Sequence, residues 1–175
     1  MGKKVYGNLI NRFDEGKNFN KDKQIHVGDD ITMYWYSDRT CYYVTDVINQ
    51  KHIKVKRYWI CADRDLPGGM GHQNWKYFKS RNEENEYLKQ YGLGEDTTYP
   101  EEESEDWYFR NNKWKRGHTY TLDKINSMKG DFFNWSIFTE KEYAKIQSGG
   151  EVTKYFTLEA PISFGVRDYH YDWEF

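Results

Sequence analysis

Aliphatic material is scarce in this 175-residue chain: hydrophobic residues make up 37% and the mean hydropathy is −1.07. A core of Leu, Ile and Val alone is therefore excluded. Aromatic rings, 19% of the residues, must supply much of the buried area, since each ring covers a large apolar face. No apolar run approaches membrane-spanning length, and the first ten residues, MGKKVYGNLI, lack the apolar core of a signal peptide. We expect a cytoplasmic protein with no membrane partner. Cysteine is nearly missing. Cys41 and Cys61 stand without metal-type spacing and read as free, half-buried thiols. The histidines show no HxxxH or HxH pair, and no nucleophile elbow is present. Gly68-Gly69-Met70-Gly71 lacks the Gly-Lys-Ser/Thr of a phosphate loop and reads as a turn. We expect no metal, no cofactor and no catalytic residues. His170 and Asp172 would share one face of a C-terminal strand, where a carboxylate can orient an imidazole. They read first as a charged outer face.

What is present is alternation. Ile31–Tyr36, Cys41–Ile48 and Ile53–Trp59 each alternate side-chain character with a period of two. Ser37-Asp38-Arg39-Thr40 and Asn49-Gln50-Lys51-His52 separate them as turns. This is a three-stranded meander, with Lys54, Lys56 and Tyr58 as its solvent face. Five-stranded SH3-like barrels begin this way. Trp75–Lys79 reads as a fourth strand after a glycine-rich loop over 61–74. Trp107–Arg110 and Lys113–Arg116 flank Asn111-Asn112, residues that tolerate the positive φ of a tight hairpin. Thr121–Met128 reads as a helical turn. Thr139 and Glu142 form a capping box for a helix over Glu140–Gln147 that stops at Gly149-Gly150. Val152–Leu158 and the aromatic tail from Ile162 to Phe175 read as strands. An N-terminal arm is expected to dock Leu9, Ile10 and Phe13 on the sheet. The expected fold is mainly β with a minor α part: an SH3-like curled antiparallel sheet or small barrel. It would carry a short helix and an acidic insertion, within one domain over 1–175.

Charge is divided along the chain. The net is −2. Between Glu83 and Asp106 ten carboxylates face one lysine, a local charge of −9, which leaves +7 for the rest. Residues 83–106 are therefore an acidic insertion in a basic body. A helical turn is expected around Glu83–Tyr91, followed by an irregular stretch. Glu101, Glu102, Glu103, Glu105 and Asp106 are the candidates for meeting a basic partner surface, or for folding over the protein's own basic face. The basic candidates are Lys51, Lys54, Lys56 and Arg57 on one turn and strand, and Lys113, Trp114, Lys115 and Arg116 on the later hairpin. Cations interleaved with rings suit a nucleic-acid or nucleotide surface, because charges meet phosphates and rings stack on bases.

Three stretches carry a resemblance: GNLINR at 7–12, YSDRTCYYVTDVINQKHIKVKR at 36–57 and SFGVRDYHYD at 163–172. They resemble a family of small proteins from phages and prophages of Gram-positive bacteria. That family shows a W-S-D-R motif after a V-G-D turn and a closing Phe/Leu-Gly-Val-Arg-Asp-Tyr-Tyr segment. Tyr36 stands here in the Trp place, and His170 interrupts the tyrosine run. The resemblance covers about a third of the chain and none of the acidic insertion. It implies a mobile-element origin and the cytoplasm of a bacterial host. No catalytic residue carries over. The expected function is non-enzymatic: a phage-encoded inhibitor of a host nucleic-acid-targeting defence, of the anti-CRISPR type, binding the effector complex, its nucleic acid or both. The alternatives are a nucleotide-binding protein that sequesters a defence second messenger, and a small nuclease or phosphodiesterase using His170 and Asp172.

Overall fold

The computed structural model describes residues 24–35, 38–66, 74–128, 135–158, 160–165 and 167–169. The expected docking arm with Leu9, Ile10 and Phe13 lies outside them, as do His170 and Asp172. The chain forms two compact units, one of residues 1–105 and 159–175, the other of residues 106–158.

In the first unit the meander is present as strands β1 (Asp30–Tyr34), β2 (Arg39–Asn49) and β3 (His52–Arg57), all antiparallel. A short strand, β9 (Ile162–Phe164), pairs with β1, giving the order β3-β2-β1-β9. Alternation sets the two faces. Ile31, Met33, Val44, Ile53, Val55 and Phe164 are buried almost completely on one of them. That set supplies the aliphatic part of the core that a sparse composition allows. On the other face Thr32 lies opposite Cys41, and Tyr43 lies opposite Lys56.

The expected SH3-like barrel is not what the described strands build. The chain breaks step at Tyr58, whose amide donates to the Cys41 carbonyl at 3.0 Å. It then continues as β4 (Trp59–Ala62), which pairs only with β5 (Trp75–Phe78) in a separate two-stranded sheet. The residues that would have extended the meander toward closure instead lie over it. Cys41, Tyr43 and Tyr58 pack against Ile60, Tyr77 and Tyr169. Tyr58 is thus buried, against the expectation of a solvent face, and the sheet stays open. Among the described residues of the tail, only Ile162–Phe164 is strand. After Phe164 the Gly165 amide donates to the Asp30 carbonyl at 2.7 Å with φ at +72°, turning the chain out of the ladder.

The acidic insertion begins as helix α1 (Arg81–Lys89), with Ser80 as its cap. In the second unit β6 (Glu105–Arg110) and β7 (Lys113–Tyr120) form the hairpin, and Asn111 and Asn112 take φ of +52° and +57° as that turn demands. Strand β8 (Val152–Thr157) pairs with β7. Helices α2 (Leu122–Ser127) and α3 (Glu140–Gln147) flank a 3-10 turn at Trp135–Ile137. The capping box of Thr139 and Glu142 is present. Tyr120, Ile125, Ile146 and Val152 form the core of this unit, with Leu122, Ile137 and Phe138 packed against it. Among the described residues no helix is long and apolar enough to cross a membrane.

Candidate functional site

The basic candidates do not form one stripe. Lys51 sits exposed in the turn between β2 and β3. Lys54 and Lys56 project from one face of β3, half-buried, opposite Asp46 and Tyr43. Arg57, one residue on, projects from the other face, opposite Tyr42. In the second unit Lys113 and Lys115 occupy one face of β7, and Trp114 and Arg116 the other. Trp114 is only 8% exposed and tilts against Phe109, ring centroids 5.5 Å apart. A buried ring offers no face to a base. Alternating Lys and Trp reads as a stacking surface only where the sheet behind it is bare.

The acidic insertion has the expected helical segment and then a stretch without regular structure over residues 93–104, which side chains hold in place. Ser80 Oγ accepts from the Glu83 amide at 3.2 Å, and the Glu83 carboxylate accepts from the Lys79 amide at 2.9 Å, fixing the start of α1. Gly92, at φ +71°, ends the helix. Gly94 then lies so close that a Cβ there would come within 2.6 Å of the Asn85 carbonyl oxygen. Two asparagines clip the returning loop to the helix. Asn85 donates to the carbonyls of Glu95 (2.8 Å) and Thr97 (3.2 Å) and accepts from the Glu95 amide (2.8 Å). Asn82 donates to the Tyr99 carbonyl (2.9 Å) and accepts from its amide (2.8 Å). Further on, Lys56 Nζ meets Glu101 at 2.7 Å and Thr45 donates to Ser104 at 3.1 Å. Glu95, Asp96, Glu101, Glu102 and Glu103 remain exposed. Glu105 and Asp106 are half-buried and open β6, so they belong to a strand and not to the loop.

Between the end of β5, the start of α1 and the returning loop lies a cleft of about 380 Å³. Tyr43 and Trp59 give it an aromatic lining, and Lys56, Lys79 and Arg81 give it three cations. The rings hold the cations in place. Arg81 lies over Tyr99, 3.7 Å from its centroid, and over Trp59 at 5.1 Å, and Lys79 Nζ lies over Tyr43 at 5.5 Å. Among the described residues neither Lys79 nor Arg81 makes an ion pair. Lys56 is 17% exposed while its partner Glu101 is 83% exposed. The hydrogen bond from Lys56 holds the Glu101 carboxyl below its usual range. Burial pushes the Tyr43 phenol up. Of the basic candidates read from the sequence, only Lys56 reaches this cleft. Tyr43, Trp59, Lys79 and Arg81 carry no motif of their own. Lys79-Ser80-Arg81, two cations around a helix cap, is the signal that points to them.

Two of the stretches that carry the family resemblance meet elsewhere in the first unit; the third, at 7–12, lies outside the described residues. Arg39, of the S-D-R segment, forms an ion pair with Asp168, of the closing segment, at 2.8 Å. The Asp168 amide donates to Thr32 Oγ1 at 3.1 Å. Arg167 lies 3.9 Å from Asp30, beside the V-G-D turn, and over the rings of Tyr77 and Tyr58. Tyr58 in turn donates to Asp30 at 2.8 Å. The motifs therefore tie the tail to the meander, a structural use of arginine and aspartate. Cys41 lies inside this knot, where burial pushes its thiol up to about 12, so it stays protonated at neutral pH and is a poor nucleophile. Among the described residues no group of three or more His, Cys, Asp or Glu side chains is placed to hold a metal ion. Comparison of the chain with protein-family models, with curated proteins and with solved structures gives no match.

Proposed function

We propose that the protein is a phage-encoded, non-enzymatic inhibitor of a host nucleic-acid-targeting defence, of the anti-CRISPR type, and that it binds the effector through the acidic insertion. One observation carries the reading. The insertion is clipped into a fixed form by Asn82 and Asn85 while Glu95, Asp96, Glu102 and Glu103 stay exposed. A ridge already ordered gives up little conformational freedom on binding. Its carboxylates imitate a phosphate backbone, and a cationic channel in the effector would attract them over a distance. The phage origin rests on the resemblance of three stretches. Binding of nucleic acid by a basic stripe draws less support, since Lys56 is engaged by Glu101, Trp114 is buried and Arg57 faces away from Lys54 and Lys56. A second reading, a nucleotide-binding protein that sequesters a defence signal, is favoured by the cleft of Lys56, Lys79 and Arg81.

The test compares the protein with its Asp96→Asn, Glu102→Gln, Glu103→Gln variant in capture from a Gram-positive bacterial lysate, followed by association kinetics with the captured protein. A nucleic-acid-binding protein held by the parent, displaced by heparin and associating several-fold more slowly with the variant at low salt supports the reading. Equal capture and equal association rates for the two proteins would refute it.

A further inference from the structure

The cleft beside α1 holds a contradiction in its charges. Three cations converge on it, and the anion that meets one of them, Lys56, is the chain's own Glu101, a side chain 83% exposed. An exposed ion pair is a weak bond, worth little against solvent and salt. Lys56, by contrast, is mostly covered and lies over the Tyr43 side of the sheet, where an ammonium gains from any better counter-ion. Lys79 and Arg81 are held over rings, and neither is in an ion pair among the described residues, though Glu84 lies within electrostatic reach of Arg81. Two further carboxylates line the cleft, both exposed: Glu83, which accepts from the Lys79 amide at the start of α1, and Glu102. The volume of about 380 Å³ falls in the range of small-ligand sites, ~300–1,000 Å³, and exceeds what one inorganic anion fills. Trp59 and Pro100 supply apolar wall beside the cations, whereas Tyr43, 8% exposed, is as buried as Trp114.

We propose that this cleft is a binding site for a nucleoside phosphate. The phosphates replace the Glu101 carboxylate on Lys56 and gain Lys79 and Arg81, and the base lies against Trp59. Glu101 is a built-in occupant that the ligand displaces. Phosphate oxygens match the site better than a carboxylate because several of them can meet separate cations at once. The inference rests on the second reading above and is independent of any effector bound by the acidic ridge.

The experiment is titration calorimetry of the full chain at low salt with ADP, GDP, CDP and UDP, and with pyrophosphate as the control that has no base. The expected result is binding of at least one diphosphate with Kd under about 1 mM, tighter than pyrophosphate. Glu101→Gln, which removes the internal occupant, should tighten it by about two- to five-fold, the range that freeing an exposed pair allows. Lys79→Glu should weaken it by about tenfold or more, as loss of a charged hydrogen bond does. Lys79 is exposed and its reversal leaves the fold intact, which circular dichroism checks. The proposal is overturned if none of the four binds to either the parent or Glu101→Gln. It is also overturned if Lys79→Glu changes nothing, or if pyrophosphate binds as tightly as the diphosphates. Asp96→Asn with Glu103→Gln, at residues outside the cleft lining, should still bind nucleotide, so failure to capture an effector and failure to bind a nucleotide are separate results.

Discussion

Asn85 holds the acidic insertion to the helix it follows, and its removal gives a quantitative test. The side chain is buried, 6% exposed, and makes three hydrogen bonds to the returning loop at 2.8, 3.2 and 2.8 Å. Each is worth about 1 kcal/mol net. Glu95 and Thr97 are themselves exposed, so water recovers part of the loss when the loop's carbonyls are released. Asn85→Ala should therefore destabilise the closed insertion by about 2 kcal/mol, which corresponds to roughly a thirtyfold faster local opening equilibrium. The informative probe is hydrogen exchange at the Tyr99 amide. That amide is bonded to Asn82 and not to Asn85, so it reports on the loop as a whole. Its exchange should quicken by roughly that factor, while the amides of Ile53 and Val55 in the core of β3 stay unchanged. Asn85→Asp sharpens the test. It keeps an acceptor for the Glu95 amide but turns an oxygen toward two carbonyls, so it should open the loop at least as much as alanine does. An unchanged Tyr99 amide in Asn85→Ala, or a smaller effect from Asp than from Ala, would refute the view that these bonds fix the ridge.

Two further outcomes follow from the titrating groups. Burial pushes the Cys41 thiol to about 12 and the Cys61 thiol to about 11, so neither is appreciably a thiolate at pH 8. A thiol reagent should modify half-buried Cys61 slowly and leave Cys41 intact until denaturant is added, read by peptide mass mapping; faster labelling of Cys41 than of Cys61 would contradict the packing. In the second unit, Glu142 is held down to about 2 by the Lys154 ammonium and by the amide and hydroxyl of Thr139. A carboxyl lowered in the folded state contributes stability fully present above its ordinary value and lost as pH falls toward the folded one. Acid should therefore weaken this unit between about pH 4.5 and 2, and Glu142→Gln should flatten that part of a denaturation series; an unchanged slope would mean the cap contributes nothing.

What the sequence made legible is local. Alternation located β1, β2 and β3 because each strand has one apolar face, and the facing residues of β2 and β3 follow from a two-residue turn. Asn111-Asn112 announced positive φ, and Thr139 with Glu142 announced a helix start, since both signals lie within four residues. The failures are all matters of distance. The break at Tyr58 depends on a bond to Cys41 seventeen positions back, and it turned an expected barrel into an open sheet under a second, smaller one. The partner of Lys56 lies 45 positions on, at Glu101. Tyr43, Trp59 and Arg81 come from a strand of each sheet and from a helix, and no spacing rule joins them. The insertion after its helix has no regular structure, as its composition suggested, but what holds it was not legible: Asn82 and Asn85 are neutral amides whose partners are backbone atoms ten or more residues away. Trp114 was read as a surface ring because its neighbours are cations, yet a strand with one covered face can bury a ring between two exposed or half-buried lysines.

Glu101 belongs to two surfaces, and that joins the two functional readings. As part of the ridge it contributes one of the exposed carboxylates of residues 83–106. As the partner of Lys56 it fills the cleft. It cannot serve a basic effector surface fully while a lysine holds it 2.7 Å away. A phosphate ligand that takes over Lys56 would release Glu101 to the ridge and add negative charge beside it. Binding at the two sites would then reinforce each other, and by thermodynamic reciprocity an effector that engages Glu101 would raise nucleotide affinity by the same factor. Glu101→Gln separates the contributions. It tightens the cleft for its ligand by removing the internal competitor and abolishes the coupling, because the charge that passed between the surfaces is gone. Equal enhancement of effector binding by nucleotide in the parent and in Glu101→Gln would leave the two surfaces independent, with the ridge acting through Asp96, Glu102 and Glu103 alone.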